Sequence, residues 1–289
     1  RGEPARGGAG RAQGRARLLL PGALRPHPRA GTADARVELL VQALDGGDRV
    51  TLDLGADPDV HLARVDWSKD GGTLWVQRQN RARTRLDLLA VDPATGRSEI
   101  VLTERARTWV ALTDDYRPLE DGGFLWTSEA SGFRHLEHHG ADGTVRPLTA
   151  GPWVVDELSG VDEEAGVVWF EGWTETPLER HLYRVPLDGS AAPQRITRGA
   201  GWWSVEFGED GGAFLATYSD PATPPRTSLH RRDGERIAWV VENPLDDDHP
   251  YAPFRDGHLL PEYGTLTAAD GRTPLHWMIH RPDGCSEAS

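Results

Sequence analysis

Cysteine is all but missing from the 289 residues: Cys285 stands alone, so no internal disulfide can form, and no Cys/His spacing resembles a zinc site. Methionine is as scarce, Met278 being the only one, and the chain opens on Arg1, which gives the expectation of a fragment. A surplus of basic charge is missing too. The 32 Lys and Arg stand against 45 Asp and Glu, a net charge of -13, which argues against nucleic acid or an anionic membrane as partner, since either calls for a basic surface that displaces counterions. No apolar run approaches the roughly eighteen residues of a membrane span. Leu18-Leu19-Leu20, followed by Pro21, is short and interrupted for a signal-peptide core. Apolar stripes of period 3.6 are absent, so few helices are expected and a helical solenoid is disfavoured.

Residues 1-28 consist almost entirely of Arg, Gly, Ala, Pro and Leu without periodic apolar pattern. They are expected to be disordered or foreign, either a product of the wrong frame of a GC-rich gene or a natural flexible tail. From Arg36 onward the texture changes to short runs rich in Val, Leu, Trp, Tyr and Thr, punctuated by Asp-Gly, Gly-Gly and Pro, as strands joined by hairpins would be. Thr73–Gln77 follows Asp70-Gly71-Gly72, Phe124–Thr127 follows Asp121-Gly122-Gly123, Val167–Phe170 follows Gly166, and Ala213–Ala216 follows Asp210-Gly211-Gly212. Gly72, Gly123, Gly166 and Gly212 lie 51, 43 and 46 residues apart. A second marker, the Leu-Thr or Ile-Thr pair ending at Thr103, Thr149 and Thr197, recurs at 46 and 48, each followed by Trp109, Trp153 or Trp202. Two markers sharing one period of about 40–50 residues indicate a unit of four strands, the size of a propeller blade. The reading is an all-β fold: β-propeller blades of four antiparallel strands, about five by the period, over residues 29-262.

Several motifs then carry a resemblance. His27-Pro28-Arg29-Ala30-Gly31-Thr32-Ala33-Asp34 through Val37 resembles a Tyr-Pro-x-x-Gly-x-x-Asn-x-x-Val segment, with His27 and Asp34 departing from it. Phe124-Leu125-Trp126-Thr127-Ser128-Glu129-Ala130-Ser131-Gly132-Phe133-Arg134-His135-Leu136 resembles an aromatic-x-Trp-x-Ser-Glu-x-x-Gly-aromatic-x-His-Leu signature. Both belong to the dipeptidyl peptidase IV family of serine peptidases, whose bacterial members also share features of Gly201–Val205, Pro224-Pro225-Arg226 and Glu262–Leu266. The resemblance implies an eight-bladed propeller, truncated here, with residues 263-289 as exit strand and start of the linker to an α/β-hydrolase domain missing from this chain. It implies peptide substrates acted on through the intact enzyme, release of Xaa-Pro or Xaa-Ala dipeptides, homodimers, no cofactor, and a periplasmic or secreted location. The propeller's own part would be substrate gating and specificity. A stand-alone propeller serving as a protein-interaction module, or the product of a decayed gene, is the alternative.

Catalytic machinery is not legible. A hydrolase needs a G-x-S-x-G elbow so that backbone amides can form an oxyanion hole; none occurs, and Gly201-Trp202-Trp203-Ser204-Val205 lacks the final glycine. Glu163-Glu164 superficially matches the family's amine-binding glutamates but sits in a hairpin turn, whereas the family's pair precedes the Tyr-Pro segment. His135, Glu137 and His139 alternate on one strand and cannot close around an ion unaided. Asp246-Asp247-Asp248-His249 lacks the spaced ligands and turn glycine of a calcium loop. No catalytic or metal-binding residue is therefore assigned. The tryptophans are expected to serve blade packing rather than a sugar ligand. Two substrate-binding residues are carried over from the family's aromatic-Arg-Pro loop, Tyr116 and Arg117 of Asp114-Asp115-Tyr116-Arg117-Pro118. The resemblance places their side chains in the pocket for the substrate's second residue and its extension; an ordinary loop, with Arg117 paired to Asp114 or Asp115, is the competing reading.

Overall fold

In the second strand of the first three repeats side chains on both faces are covered, and in the fourth Phe214 and Ala216 are buried while Leu215 is exposed; this strand is the one that reads as an apolar run. The computed structural model describes residues 36–208 and 211–282. The segment 1-28, the motif from His27 to Asp34, Asp210 and Cys285 lie outside them. The first paired strands are β1 (Leu40–Val41) and β2 (Val50–Thr51). Four antiparallel four-stranded sheets follow. They are β3 (Val60–Trp67), β4 (Leu74–Asn80), β5 (Arg85–Val91), β6 (Ser98–Arg105); then β7 (Arg117–Pro118), β8 (Phe124–Ser128), β9 (His135–His139), β10 (Val145–Pro147). The third is β11 (Val154–Asp162), β12 (Val167–Trp173), β13 (His181–Pro186), β14 (Gln194–Arg195), and the fourth β15 (Trp202–Phe207), β16 (Ala213–Asp220), β17 (Thr223–Arg231), β18 (Arg236–Val241). A 3-10 turn at Ala252–Gly257 leads to the hairpin β19 (Glu262–Thr267) and β20 (Pro274–Ile279). In every four-stranded sheet consecutive strands are neighbours, the up-and-down order of a propeller blade. Four whole blades and two hairpins make up the partial propeller that the repeat period indicates.

The aspartates of the turns are structural. Asp70 and Asp121 each accept the backbone N–H two residues on, at Gly72 (2.9 Å) and Gly123 (2.8 Å), closing the turn into the second strand. Glycine is required most clearly at Gly96, in the β5–β6 turn. Its φ is +74°, and a Cβ there would stand 2.3 Å from the Thr51 carbonyl oxygen of the preceding strand pair.

The recurring threonine has a specific task. Thr149 Oγ1 accepts the Leu136 N–H (2.9 Å) and lies 3.0 Å from His135 Nδ1; Thr197 does the same for Leu182 (3.1 Å) and His181 (3.0 Å). In the first blade Thr103 donates to Asp87 instead, at 2.7 Å. The Leu-Thr marker thus latches the outer strand of a blade to its third strand.

Four apolar clusters join successive sheets. Leu52 packs with Leu74, Val76, Leu89 and Val91 between the first hairpin and the first blade. Leu86 and Leu88 meet Tyr116, Phe124 and Trp126; Leu125, Leu136 and Trp153 meet Val155, Val168 and Phe170; Trp169 and Leu182 meet Phe214 and Ala216. Of the three repeated tryptophans only Trp153, 8% exposed, serves this core. Trp109 and Trp202 stay 53% and 48% exposed, so packing explains one of them and not the other two. Arg83 covers Trp109, its guanidinium carbon 4.8 Å from the ring centroid.

Candidate functional site

The approach to β7 carries two acids, a tyrosine and an arginine in succession, and the fold treats each differently. Asp114 is exposed and pairs with Arg64 of β3, whose hydrogen bond holds the carboxyl below its ordinary range. Asp115 is buried. Its Oδ2 accepts hydrogen bonds from Thr113 Oγ1 (2.5 Å) and Thr127 Oγ1 (2.9 Å), and its Oδ1 accepts the Leu158 N–H of β11 in the next blade (2.8 Å). Tyr116 is 5% exposed, its ring 5.5 Å from those of both Trp75 and Phe124. Burial, with Asp66 nearby, pushes its phenol well above the ordinary value, and the hydroxyl has no hydrogen-bond partner among the described residues.

Arg117 is exposed, and its Nη1 donates to the carbonyls of Tyr116 (3.2 Å) and Asp114 (3.5 Å). It forms no ion pair among the described residues. The sequence-derived pair is thus divided: Tyr116 forms part of the packing between two blades, and Arg117 offers a guanidinium to solvent from the first strand of the second blade. Nearby, a cleft of about 240 Å³ is lined by Trp109, Thr113, Thr127, Glu129 and Arg134. Glu129 and Arg134 pair across it at 3.2 Å.

A second charged group lies between the third and fourth blades and was not singled out from the sequence. Glu171 of β12 is 1% exposed. Its Oε1 accepts the Val205 N–H of β15 (3.1 Å), and Arg180 Nη2 stands 3.0 Å from Oε2, off the line of a hydrogen bond. Burial pushes this carboxyl up to about 7 against the pull of Arg180. Arg180 also faces Glu157 (3.1 Å) and Asp156 (3.9 Å), and burial raises Asp156 as well. A lone acid inside the apolar run Val167–Trp173 is the signal that could have found it.

The remaining motifs are occupied by structure. Glu163 accepts the Glu120 N–H (2.6 Å) and meets Lys69 Nζ (2.5 Å), linking three hairpin turns. His135 is held by Thr149 and by the Gly151 carbonyl (2.8 Å), while His139 stacks on Phe124 and pairs with Glu137 (3.0 Å). Asp247 pairs with Arg255 (3.2 Å) and His249 bonds Asn243 (3.1 Å). Ser204 sits opposite Thr217 in the β15–β16 ladder.

The family model of the dipeptidyl peptidase IV N-terminal region matches residues 24–225. The "probable dipeptidyl-aminopeptidase B" of Emericella nidulans is 32% identical over 243 residues, 76% of this chain and 26% of that protein. The dipeptidyl-aminopeptidase B of Aspergillus niger is 28% identical over 277 residues, 89% of this chain and 30% of that protein. The chain therefore spans less than a third of the length of these relatives. Among solved structures, the dipeptidyl peptidase 4 of Porphyromonas gingivalis superimposes with a TM-score of 0.77 at 22% identity, over 88% of this chain and 36% of that one. With its blades latched by the repeated threonine and its signature strand at Phe124–Ser128 in place, the chain belongs to the dipeptidyl peptidase IV N-terminal region family.

Proposed function

We propose that this chain is the non-catalytic, substrate-gating and specificity portion of a serine-type dipeptidyl peptidase that releases Xaa-Pro or Xaa-Ala dipeptides. The supporting observation is Arg117. In a closed propeller the first strand of a blade would face the central channel, and this exposed guanidinium follows the buried Asp115 and Tyr116, with no ion pair among the described residues although Asp114 lies close enough to attract it. Its planar donors suit peptide carbonyls and carboxylates. Tyr116 supports the arginine from below, so its contribution to the pocket would be the position of its neighbour. The nucleophile would come from a hydrolase domain, since the sequence has no G-x-S-x-G elbow.

The test is a titration of the chain with the pentapeptide Ala-Pro-Ala-Ala-Leu, followed by NMR of the arginine Nε–H groups. The Arg117 signal is expected to shift on titration, and Arg117→Ala should weaken binding about tenfold, the scale of one charge-assisted hydrogen bond. Peptide binding that leaves the Arg117 signal and the variant's affinity unchanged would refute the reading.

A further inference from the structure

We infer that Asp115 is the positioning residue of this site: it sets where Arg117 stands by fastening the strand that carries it to the next blade. The inference rests on the peptide-gating reading of Arg117. The first strand of a sheet has one unpaired edge, where backbone N–H groups lack a ladder partner. In the third blade β11 is irregular, its register with β12 shifting between Val155 and Glu157 and again between Leu158 and Gly160. Leu158 lies between the two shifts, and its N–H points to Asp115 Oδ1 at 2.8 Å.

The other carboxylate oxygen takes hydroxyl protons from Thr113 and Thr127. Thr113 also accepts the Asp115 N–H (3.0 Å), so the turn before β7 is closed on itself. One buried carboxylate therefore joins three things: the chain entering β7, the signature strand β8 through Thr127, and β11 of the neighbouring blade. Thr113 and Thr127 also line the 240 Å³ cleft. All three groups donating to the Asp115 carboxylate are neutral and no cation pairs with it among the described residues, so its cohesion depends on the geometry of these hydrogen bonds.

Two residues further on, Arg117 is paired to β8 only through its ladder contact with Leu125, in a strand two residues long. So short a strand does little to fix the approach to Arg117. Beside the packed ring of Tyr116, Asp115 supplies the polar constraint that ties this segment to the next blade. Its loss should let the segment Thr113–Arg117 move relative to β11, and an arginine whose planar donors must meet a ligand in fixed orientation is sensitive to such movement.

The experiment compares the chain with Asp115→Ala, Asp115→Asn, Arg117→Ala and the double variant Asp115→Ala/Arg117→Ala, with the same pentapeptide as probe. Asparagine keeps an acceptor for Leu158, and its amide can donate to the threonine hydroxyls, so it is expected to bind within about twofold of the wild type. Asp115→Ala should weaken binding about fivefold and speed hydrogen exchange at the Leu158 amide. The double variant should bind no more weakly than Arg117→Ala, because Asp115 acts through Arg117. Full affinity in Asp115→Ala while Arg117→Ala is weakened would overturn the inference and leave the gating reading standing, as would additive losses in the double variant. Unchanged exchange at Leu158 would overturn the clasp itself. An Arg117→Ala variant that binds normally would overturn the gating reading, and this inference with it. Should Asp115→Ala not fold, Thr127→Val, which removes one of the two hydroxyl donors to Asp115, carries the test: weakened binding that is absent in the Arg117→Ala background supports the inference, and unchanged affinity overturns it.

Discussion

Glu171 and Asp87 are both buried acids, yet the structure sets their protonation in opposite directions. Asp87 of β5 is penalised by burial, but hydrogen bonds from Arg78, Thr103 and Arg85 outweigh that and hold its carboxyl below the ordinary value. Glu171 has one backbone donor, a long hydrogen bond from the Ser159 hydroxyl and a poorly aligned arginine, and burial prevails. A folded state that holds a proton up to about pH 7 on a group with an ordinary value of 4.5 binds more protons than the unfolded chain between those limits. Stability must then fall as pH rises through that window and level off above it. For Asp87 the sign is reversed, and its contribution is lost only as pH drops below the ordinary carboxylate range. Urea unfolding at pH 5, 6, 7 and 8 is therefore expected to show a decline toward neutrality that Glu171→Gln largely removes, Asp156 retaining a smaller part. Parallel pH profiles for the two proteins would contradict this. Neither acid's state is legible in the sequence, because each depends on donors brought by other strands, Val205 of β15 for Glu171 and Arg78 of β4 with Thr103 of β6 for Asp87.

What could be read at the level of elements was what recurs and what is long. The second strands β4, β8 and β12 stand out because both of their faces are covered, so the apolar run is unbroken, and β16 shares the pattern although its Leu215 face is exposed. The turn aspartates were legible as punctuation. Strands β1, β2, β7 and β14 have two residues each, too few for any period. The Leu-Thr marker was visible as a repeat, but its purpose was not, since the latch needs the partner strand. That purpose can be measured. Thr149→Val keeps the shape, removes the acceptor for Leu136 N–H and leaves His135 Nδ1 without its hydroxyl, which should cost about 1–3 kcal/mol. Thr149→Ser should recover most of it. Equal stability of the valine and serine variants in urea would show that the latch contributes packing alone. Tyr116 shows the same limit: an aromatic next to Arg117 is legible in the sequence, but the face it presents is set by Trp75 and Phe124 from two other strands.

Across the molecule the apolar packing is uneven. Clusters join each sheet to the next as far as β15–β18, but no comparable cluster joins that sheet to the hairpin β19–β20 among the described residues. Ile237, Val240 and Val241 on β18 and Leu266, Leu275, Met278 and Ile279 on the hairpin are 43% to 59% exposed. Apolar surface of this kind, on an outer strand with unpaired backbone groups, favours association. Light scattering across a concentration series is expected to show reversible self-association of the chain, and Val240→Glu with Met278→Glu should shift it toward the monomer. A wild-type chain that stays monomeric and melts cooperatively over the same range would mean that these faces are less adhesive than their exposure suggests.

The ion pair of Lys69 with Glu163 has a practical side. Lys69 is the only lysine in the sequence, so apart from the chain's own N-terminus it is the sole amine that an acylating dye or cross-linker can find. It is also the charge that ties the β3–β4 turn to the β11–β12 turn across an intervening blade. A dye attached there as an amide would neutralise the contact whose movement it was meant to report. Reductive methylation keeps the charge, and a ¹³C-methyl group introduced that way would give one resolved signal from the junction of three blades, in an otherwise unlabelled protein.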